Sequence, residues 1–223
     1  MTLGPGPALV WYVSYGSNMC AGRLAAYLQG GRPPGASRTY PGARDRQPPR
    51  ADVAVWLPGG IYFAGQSSVW TGGTASYDPS LPGRAPARAY LLTLGQFSDV
   101  AAQEMHAAPG ADLDLAEVLA AGRAGVGPGR YQTLLCAGNR GGYPLLTFTC
   151  PTALAAAETT RPAAAYLRML AAGLAEAHGW SMAQIVGYLF ALPGVVGGWT
   201  PEMLESACSG LGAPGRLAAA GGS

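Results

Sequence analysis

Val10-Trp11-Tyr12-Val13-Ser14-Tyr15-Gly16-Ser17-Asn18-Met19 decides how the chain begins to fold. Val10 to Ser14 is short, aromatic and β-branched, and Gly16 breaks it, so the stretch reads as a strand. Asn18 or Ser17 is placed to cap a helix whose apolar positions Met19, Leu24, Tyr27 and Leu28 keep helical spacing until Gly30 and Gly31 end it. The chain therefore opens with a strand, a tight turn and a helix. Glycine lets the backbone bend sharply there, and the N–H groups at the helix start can converge on an anion or a developing oxyanion. A capped helix after a tight turn accounts for the same residues with no ligand at all.

Outward from this opening, further strands are expected at Val53 to Leu57, Ile61 to Ala64, Gly73 to Tyr77, Ala89 to Leu94, Tyr131 to Cys136 and Leu145 to Thr149. Pro58-Gly59-Gly60 and Arg140-Gly141-Gly142 separate several of them and favour hairpins over crossovers. The last third changes character. Pro162 suits the first residue of a helix running to His178 and stopped by Gly179, with Tyr166, Leu170, Gly173 and Ala177 along one face. Ser181 and Gln184 form a capping-box pair for a second helix, and Thr200-Pro201-Glu202 starts a third. Strands mostly first and helices mostly last predict an α+β domain, a small mixed or antiparallel barrel with helices around it.

Composition narrows the chemistry. The 223 residues include 34 glycines and 19 prolines, close to a quarter of the chain, but 49% are hydrophobic, enough to fold a domain with many turns. Only 12% are charged, and all 14 basic residues are arginine. A chain without lysine has no P-loop lysine, no Schiff-base lysine and no lysine general base. Net charge is +2, far from the basic excess of a nucleic-acid binder. Cys20, Cys136, Cys150 and Cys208 lie far apart with no C-x-x-C, and they read as buried or half-buried thiols in a reducing compartment. With only His106 and His178, a histidine-built zinc site is not expected, and a zinc-dependent deacetylase or amidohydrolase would lack its ligands. No apolar run reaches the roughly 18 residues of a membrane span, and no secretory pattern opens the chain, so a cytoplasmic protein without membrane or nucleic-acid partners is expected.

Two further stretches carry chemistry. Trp70-Thr71-Gly72-Gly73-Thr74-Ala75 brings paired glycines into a strand, which marks a bulge or a close approach by another backbone or a ligand. In a helix drawn from about Ser98 to Ala107, Phe97, Val100, Ala101 and Glu104 fall within one stripe, placing a carboxylate on the face that should be buried. Burial raises a carboxyl pKa toward the range of a general acid or base. An exposed Glu104 on a shorter helix, or an ion pair with an arginine, is the alternative.

In order, Tyr12 to Met19, Trp70 to Ala75, Glu104, and Pro162 to Tyr166 with the Gly173 to Gly179 helix end resemble the γ-glutamylcyclotransferase family, over about Leu9 to Leu189. The Tyr-Gly-Ser-Asn turn after a first strand is that family's signature. The resemblance implies a small mixed barrel enclosing a cavity. It also implies an enzyme that releases 5-oxoproline from a γ-glutamyl amine without cofactor or metal, through attack of the substrate's own α-amine on its γ-carbonyl. Carried over, Tyr15, Gly16, Ser17, Asn18 and Met19 match the loop holding the glutamyl group, Glu104 matches the acid/base, and Tyr166 falls near the pocket. One carboxylate can take the ammonium proton and return one to the leaving amine. Because nucleophile and electrophile share a molecule, holding the ring-closing conformer supplies much of the rate.

The resemblance divides the chain into a domain over 9–190 and a helical extension over 191–223 whose last ten residues fray. It leaves His106 to Gly129 as an insertion, with a short helix near Leu115 to Ala120. Arg32, Arg38, Arg44, Arg46 and Arg50 read as a solvated loop or as contacts to an acidic substrate. The amine half of the substrate and the oligomeric state, a homodimer included, stay open. Two rival functions use the same fold: a non-catalytic small-molecule binder, and an amidohydrolase with water as nucleophile.

Overall fold

The computed structural model describes residues 8–33, 36–67 and 69–209. β1 (Leu9–Ser14) runs into a 3-10 turn at Ser17–Met19 and α1 (Ala21–Gln29), followed by β2 (Ala51–Pro58), β3 (Gly60–Ala64), β4 (Thr74–Asp78) and β5 (Arg84–Thr93). Then come α2 (Leu94–Glu104), α3 (Ala116–Ala121), β6 (Arg123–Gly125), β7 (Thr133–Arg140), β8 (Tyr143–Thr149), α4 (Ala164–His178), α5 (Met182–Phe190) and α6 (Pro201–Cys208). The expected fraying of the last ten residues lies outside the described residues.

Six strands form one mixed sheet in the order β2-β5-β1-β8-β7-β6, and β3 and β4 pair separately. β1 is central, antiparallel to β5 from Leu9↔Thr93 to Ser14↔Arg88 and parallel to β8 at Trp11↔Leu145 and Tyr12↔Leu146. Its residues alternate between two cores. Trp11 and Val13 face a cluster with α4, α5, α6 and the β3–β4 pair, while Val10 and Tyr12 face a cluster with α1, α2 and Val118 of α3. Burial on both faces explains why Val10 to Ser14 carries no polar alternation. On β5, Ala85, Ala87 and Ala89 are buried in the α4-side cluster, small side chains on the strand against which α4 packs.

The expected barrel does not close. β2 and β6 end the main sheet without pairing to each other or to β3–β4 among the described residues. Where β4 approaches β8, the Thr149 hydroxyl takes both ladder positions: Tyr77 N donates to Thr149 Oγ1 at 2.9 Å, and Oγ1 donates to Tyr77 O at 2.8 Å. A side chain thus stands where a strand-to-strand ladder would run. Arg140-Gly141-Gly142 does form a hairpin, pairing Arg140 with Tyr143. Pro58-Gly59-Gly60 instead hands the chain from one sheet to the other, since β2 pairs with β5 and β3 with β4.

Helix starts differ from expectation in three places, one of them α4, which begins at Ala164 with Ala163 as its N-cap because Pro162 is held in a bridge to Gly72. α2 begins at Leu94, four residues before the drawn start, because Thr93 and Gln96 form a reciprocal capping box. α1 begins at Ala21, and neither Ser17 nor Asn18 caps it. Its first N–H, on Ala21, donates instead to Glu176 Oε2 of α4 at 2.8 Å, so a residue distant in sequence satisfies that donor. The boxed start of α5 at Ser181 and Gln184, and the Thr200 cap of α6, fall where the sequence places them. α6 packs on α4 and α5, with Leu204 and Cys208 fully buried.

Candidate active site

Strand β1 delivers the chain into the Tyr15-Gly16-Ser17-Asn18 turn at one wall of a cavity of about 100 Å³. Thr74 and Ala75 of β4, Thr147 and Phe148 of β8 and Tyr166 of α4 form further walls. Arg23 and Tyr27 of α1 and Gln103 and Glu104 at the end of α2 complete them, and His106 and Arg130 also line the cavity. Of the residues singled out in sequence, Tyr15, Gly16, Ser17, Asn18, Glu104 and Tyr166 all line this one space. Met19 does not. It is fully buried beneath the turn, its carbonyl accepting from Arg88 Nη1 at 3.1 Å and Tyr90 Oη at 2.8 Å.

The turn is fixed from below. Met19 N and Cys20 N donate to Gly16 O and Ser17 O, closing the 3-10 turn. Arg88, buried, bridges Asp52 at 2.7 Å and Glu176 at 3.0 Å as well as the Met19 carbonyl. Gly173 of α4 lets the helix meet the turn, since a Cβ there would lie 2.4 Å from Met19 Cβ and 2.7 Å from Cys20 N. Gly16 itself has φ −113°, open to any residue, so backbone freedom is not its reason. A Cβ at Gly16 would instead sit 3.1 Å from the Tyr166 hydroxyl.

The paired glycines at 72 and 73 answer to another backbone. Gly73 N donates to Arg161 O at 2.9 Å, and a Cβ at Gly73 would fall 2.2 Å from Thr160 O. Gly72, at φ +72°, would place one 2.5 Å from Arg161 O. This approach ties the β4 wall to the start of α4.

Glu104 is the last residue of α2 and is half-buried, while Phe97, Val100 and Ala101 of the same stripe are fully buried. Asn18 Nδ2 donates to Glu104 Oε1 at 2.8 Å and to Tyr12 Oη at 3.0 Å. The asparagine thus serves the carboxylate rather than the helix, and Glu104 Oε2 carries no hydrogen bond within the described residues. Burial, then the Glu104 charge, push the Tyr12 hydroxyl above its ordinary range. Burial pushes Tyr166 up to about 12 against the opposing Ala75 N–H, and the Glu104 charge adds to the rise. Both phenols stay protonated at neutral pH.

Arg23, Gln103, Tyr131 and Thr147 carry no motif and escape a sequence reading. Arg23 is 3% exposed. Its Nη2 donates to Tyr27 Oη and Tyr40 Oη at 2.8 Å each, and its guanidinium carbon lies 4.5 Å, 4.6 Å and 5.5 Å from the ring centres of Tyr27, Tyr40 and Trp70. Burial works against its charge, but Tyr27, Glu104 and Tyr40 outweigh burial and raise its pKa. Gln103 Nε2 donates to Tyr27 O and Asp99 O. Asn18 Oδ1, Arg23 Nε and Nη1, Gln103 Oε1 and Thr147 Oγ1 are buried without a hydrogen-bond partner.

The arginine-rich loop is tied down as much as solvated. Arg44 grips the fully buried Asp99 of α2 at 3.0 Å and Asp112 at 2.5 Å, and Arg46 donates to the Gln29 and Pro41 carbonyls. Arg38 Nη1 meets His106 Nδ1. Burial, then the Arg38 charge, lower the His106 pKa. Arg130, just past the expected insertion, donates to Thr74 Oγ1 and Gln66 O. The insertion's short helix is α3, and β6, which pairs with β7, was not foreseen.

The fold is similar to that of a solved gamma-glutamyl cyclotransferase, with a TM-score of 0.50 over 90% of this chain and 98% of that one. Identity is 15%, so the likeness is one of fold. A solved uncharacterized protein from Homo sapiens aligns with a TM-score of 0.49, also at 15% identity, over 90% of this chain and 98% of that chain. In sequence, the chain is 33% identical over 200 residues, 81% of its length, to a protein named Histone deacetylase 5 from Arabidopsis thaliana. It spans only 30% of that relative. No family model matches. No group of three or more His, Cys, Asp or Glu is placed to hold a metal ion among the described residues, and none of their helices is long and apolar enough to cross a membrane. His178 lies away from the cavity, its Nε2 on the Ala87 carbonyl at 3.0 Å.

Proposed function

We propose that the chain is a γ-glutamyl cyclotransferase that converts a γ-glutamyl amine to 5-oxoproline and the free amine. The observation that carries this reading is the 2.8 Å bond from Asn18 of the strand-to-helix turn to Glu104 at the end of α2, inside a walled cavity. It sets one carboxylate oxygen in place and leaves the other for a substrate.

In this mechanism Glu104 takes a proton from the substrate α-ammonium. The freed amine attacks the γ-carbonyl carbon, forming the ring C–N bond. Charge develops on the carbonyl oxygen, and the Gly16 and Asn18 N–H groups are the donors assigned to it, since Met19 N–H is spent inside the turn. The tetrahedral centre collapses, the bond to the outgoing amine breaks as Glu104 gives that amine its proton, and the second proton of the ring nitrogen passes to the regenerated carboxylate and from it to the departing amine. Tyr12 and Tyr166 stay protonated and shape the pocket. The fold likeness to a gamma-glutamyl cyclotransferase supports this reading. The deacetylase named in the Arabidopsis relative is not carried over, because the chain matches under a third of that protein.

Incubation with a panel of γ-glutamyl amino acids, peptides and amines should release 5-oxoproline, detected by mass. Free glutamate in its place would establish hydrolysis, and no turnover across the panel would leave a binding protein. Glu104→Gln is expected to lose at least about 10²-fold in kcat, the lower range for a general acid/base, with an unchanged thermal midpoint. Wild-type activity in that variant would remove Glu104 from the mechanism.

A further inference from the structure

We infer that Arg23 is the carboxylate-holding residue of the cavity, and that Arg23 and Glu104 together receive the α-carboxylate and α-ammonium of an α-amino acid head group. That the head group belongs to a γ-glutamyl amine rests on the cyclotransferase reading; the carboxylate site does not.

The inference begins from a buried charge with no carboxylate at ion-pair distance, the Glu104 charge acting on it only from farther away. Arg23 is almost wholly buried, yet no carboxylate forms an ion pair with it among the described residues. The contrast with Arg88 is direct: Arg88 is also buried, but Asp52 and Glu176 neutralise it. An uncompensated buried cation is costly, and folded chains retain one where something else meets the charge. The two tyrosine hydroxyls occupy only Nη2, so Nε and Nη1 keep donors to give. Rings of Tyr27, Tyr40 and Trp70 surround the guanidinium, and such low-dielectric walls strengthen an ionic contact.

The rest of the cavity fits the other half of a zwitterion. Glu104 Oε2, Asn18 Oδ1 and Gln103 Oε1 accept from no donor within the described residues, and an ammonium group brings three. The cavity, about 100 Å³, is of a size for a compact head group, with the remainder of the ligand outside. Opposite charges on two walls would fix two of the α-carbon's four substituents.

The test compares L-glutamine with its α-carboxamide, which removes only the anionic group, by calorimetry and by the ¹⁵N resonance of the Arg23 Nε–H, assigned with Arg23→Lys. The wild type should bind the carboxylate at least tenfold tighter, and the resonance should move with L-glutamine but not with the amide. Arg23→Gln should bind both ligands alike, and Arg23→Lys should keep part of the preference. A folded Arg23→Gln that retains the preference, a wild type with none, or an unmoved resonance would each overturn the assignment. If Arg23→Gln does not fold, the wild-type resonance and Arg23→Lys decide. Arg23-dependent carboxylate binding with no 5-oxoproline from any γ-glutamyl amine would sustain this site and reject the cyclotransferase. Turnover with discrimination unchanged in the Arg23 variants would do the reverse.

Discussion

Gly173→Ala would put a methyl group where the backbone of the Gly16–Cys20 turn already stands. The new Cβ would lie 2.4 Å from Met19 Cβ and 2.7 Å from both Cys20 N and Met19 C, against ordinary contacts of 3.4 Å or more. Relief requires the helix and the turn to part by about 1 Å, and two of the three obstructing atoms are main chain, with no rotamer to yield. Overpacking of this kind costs about 1–3 kcal/mol, and the upper part of that range applies here. Alanine's helix propensity returns about 1 kcal/mol, leaving a net loss of about 1–2 kcal/mol. For a chain of this size that lowers Tm by about 2–8 °C. The larger effect should be on turnover, because the displaced residues adjoin Asn18, and an error of about 1 Å in such a constellation costs on the order of 10²-fold. Thermal unfolding followed by circular dichroism, with 5-oxoproline release measured below the transition, reads both quantities. A variant as stable as wild type or more so, with undiminished turnover, would refute the claim that α4 braces the turn.

Asn18→Ala removes the bonds to Glu104 and Tyr12; a hydrogen bond to a charged group is worth about 1.5–3 kcal/mol, so kcat should fall by about 10–100-fold, and equal rates would show that Glu104 needs no such anchor. Gly73→Ala sets a Cβ 2.2 Å from Thr160 O and should lower Tm by more than Gly173→Ala does, in a side-by-side melt. Burial depresses the His178 pKa, partly offset by the Ala87 carbonyl, so its neutral form is favoured on folding. Its contribution is present above the unfolded value of about 6.5 and is lost as pH falls below it. Because His106 shifts in the same direction, the check is the difference between wild type and His178→Gln in Tm from pH 8 to pH 5, which should narrow on acidification.

What could be read in advance was local. β1, the hairpin at Gly141, and the capped starts of α5 and α6 depend on neighbours within a few residues, and their signals are visible in the chain. The start of α2 is also local, in the Thr93 and Gln96 capping box, which begins the helix four residues ahead of the one drawn from Ser98. Asn18 suits a helix cap by type, and only the arrival of Glu104 from 86 residues away assigns its side chain elsewhere. Arg23 shows the same limit. Its i,i+4 relation to Tyr27 is legible, but Tyr40 and Trp70, which complete its burial, reach it only through the tertiary fold. Where β4 meets β8, the Thr149 hydroxyl bonds both backbone groups of Tyr77, a contact that no pattern of hydrophobicity announces.

Because β1 is central in the sheet and buried on both sides, the register of that one strand also sets the position of the turn that follows it. A slip of a single residue would exchange Tyr12 for Trp11 or Val13 between the two cores and draw Asn18 about 3.3 Å along the strand axis, out of reach of Glu104. The site therefore has little means of failing alone. The amides of Tyr12 and Val13 should exchange with solvent only as fast as the whole molecule opens, so that a folded chain is one whose turn is already in place.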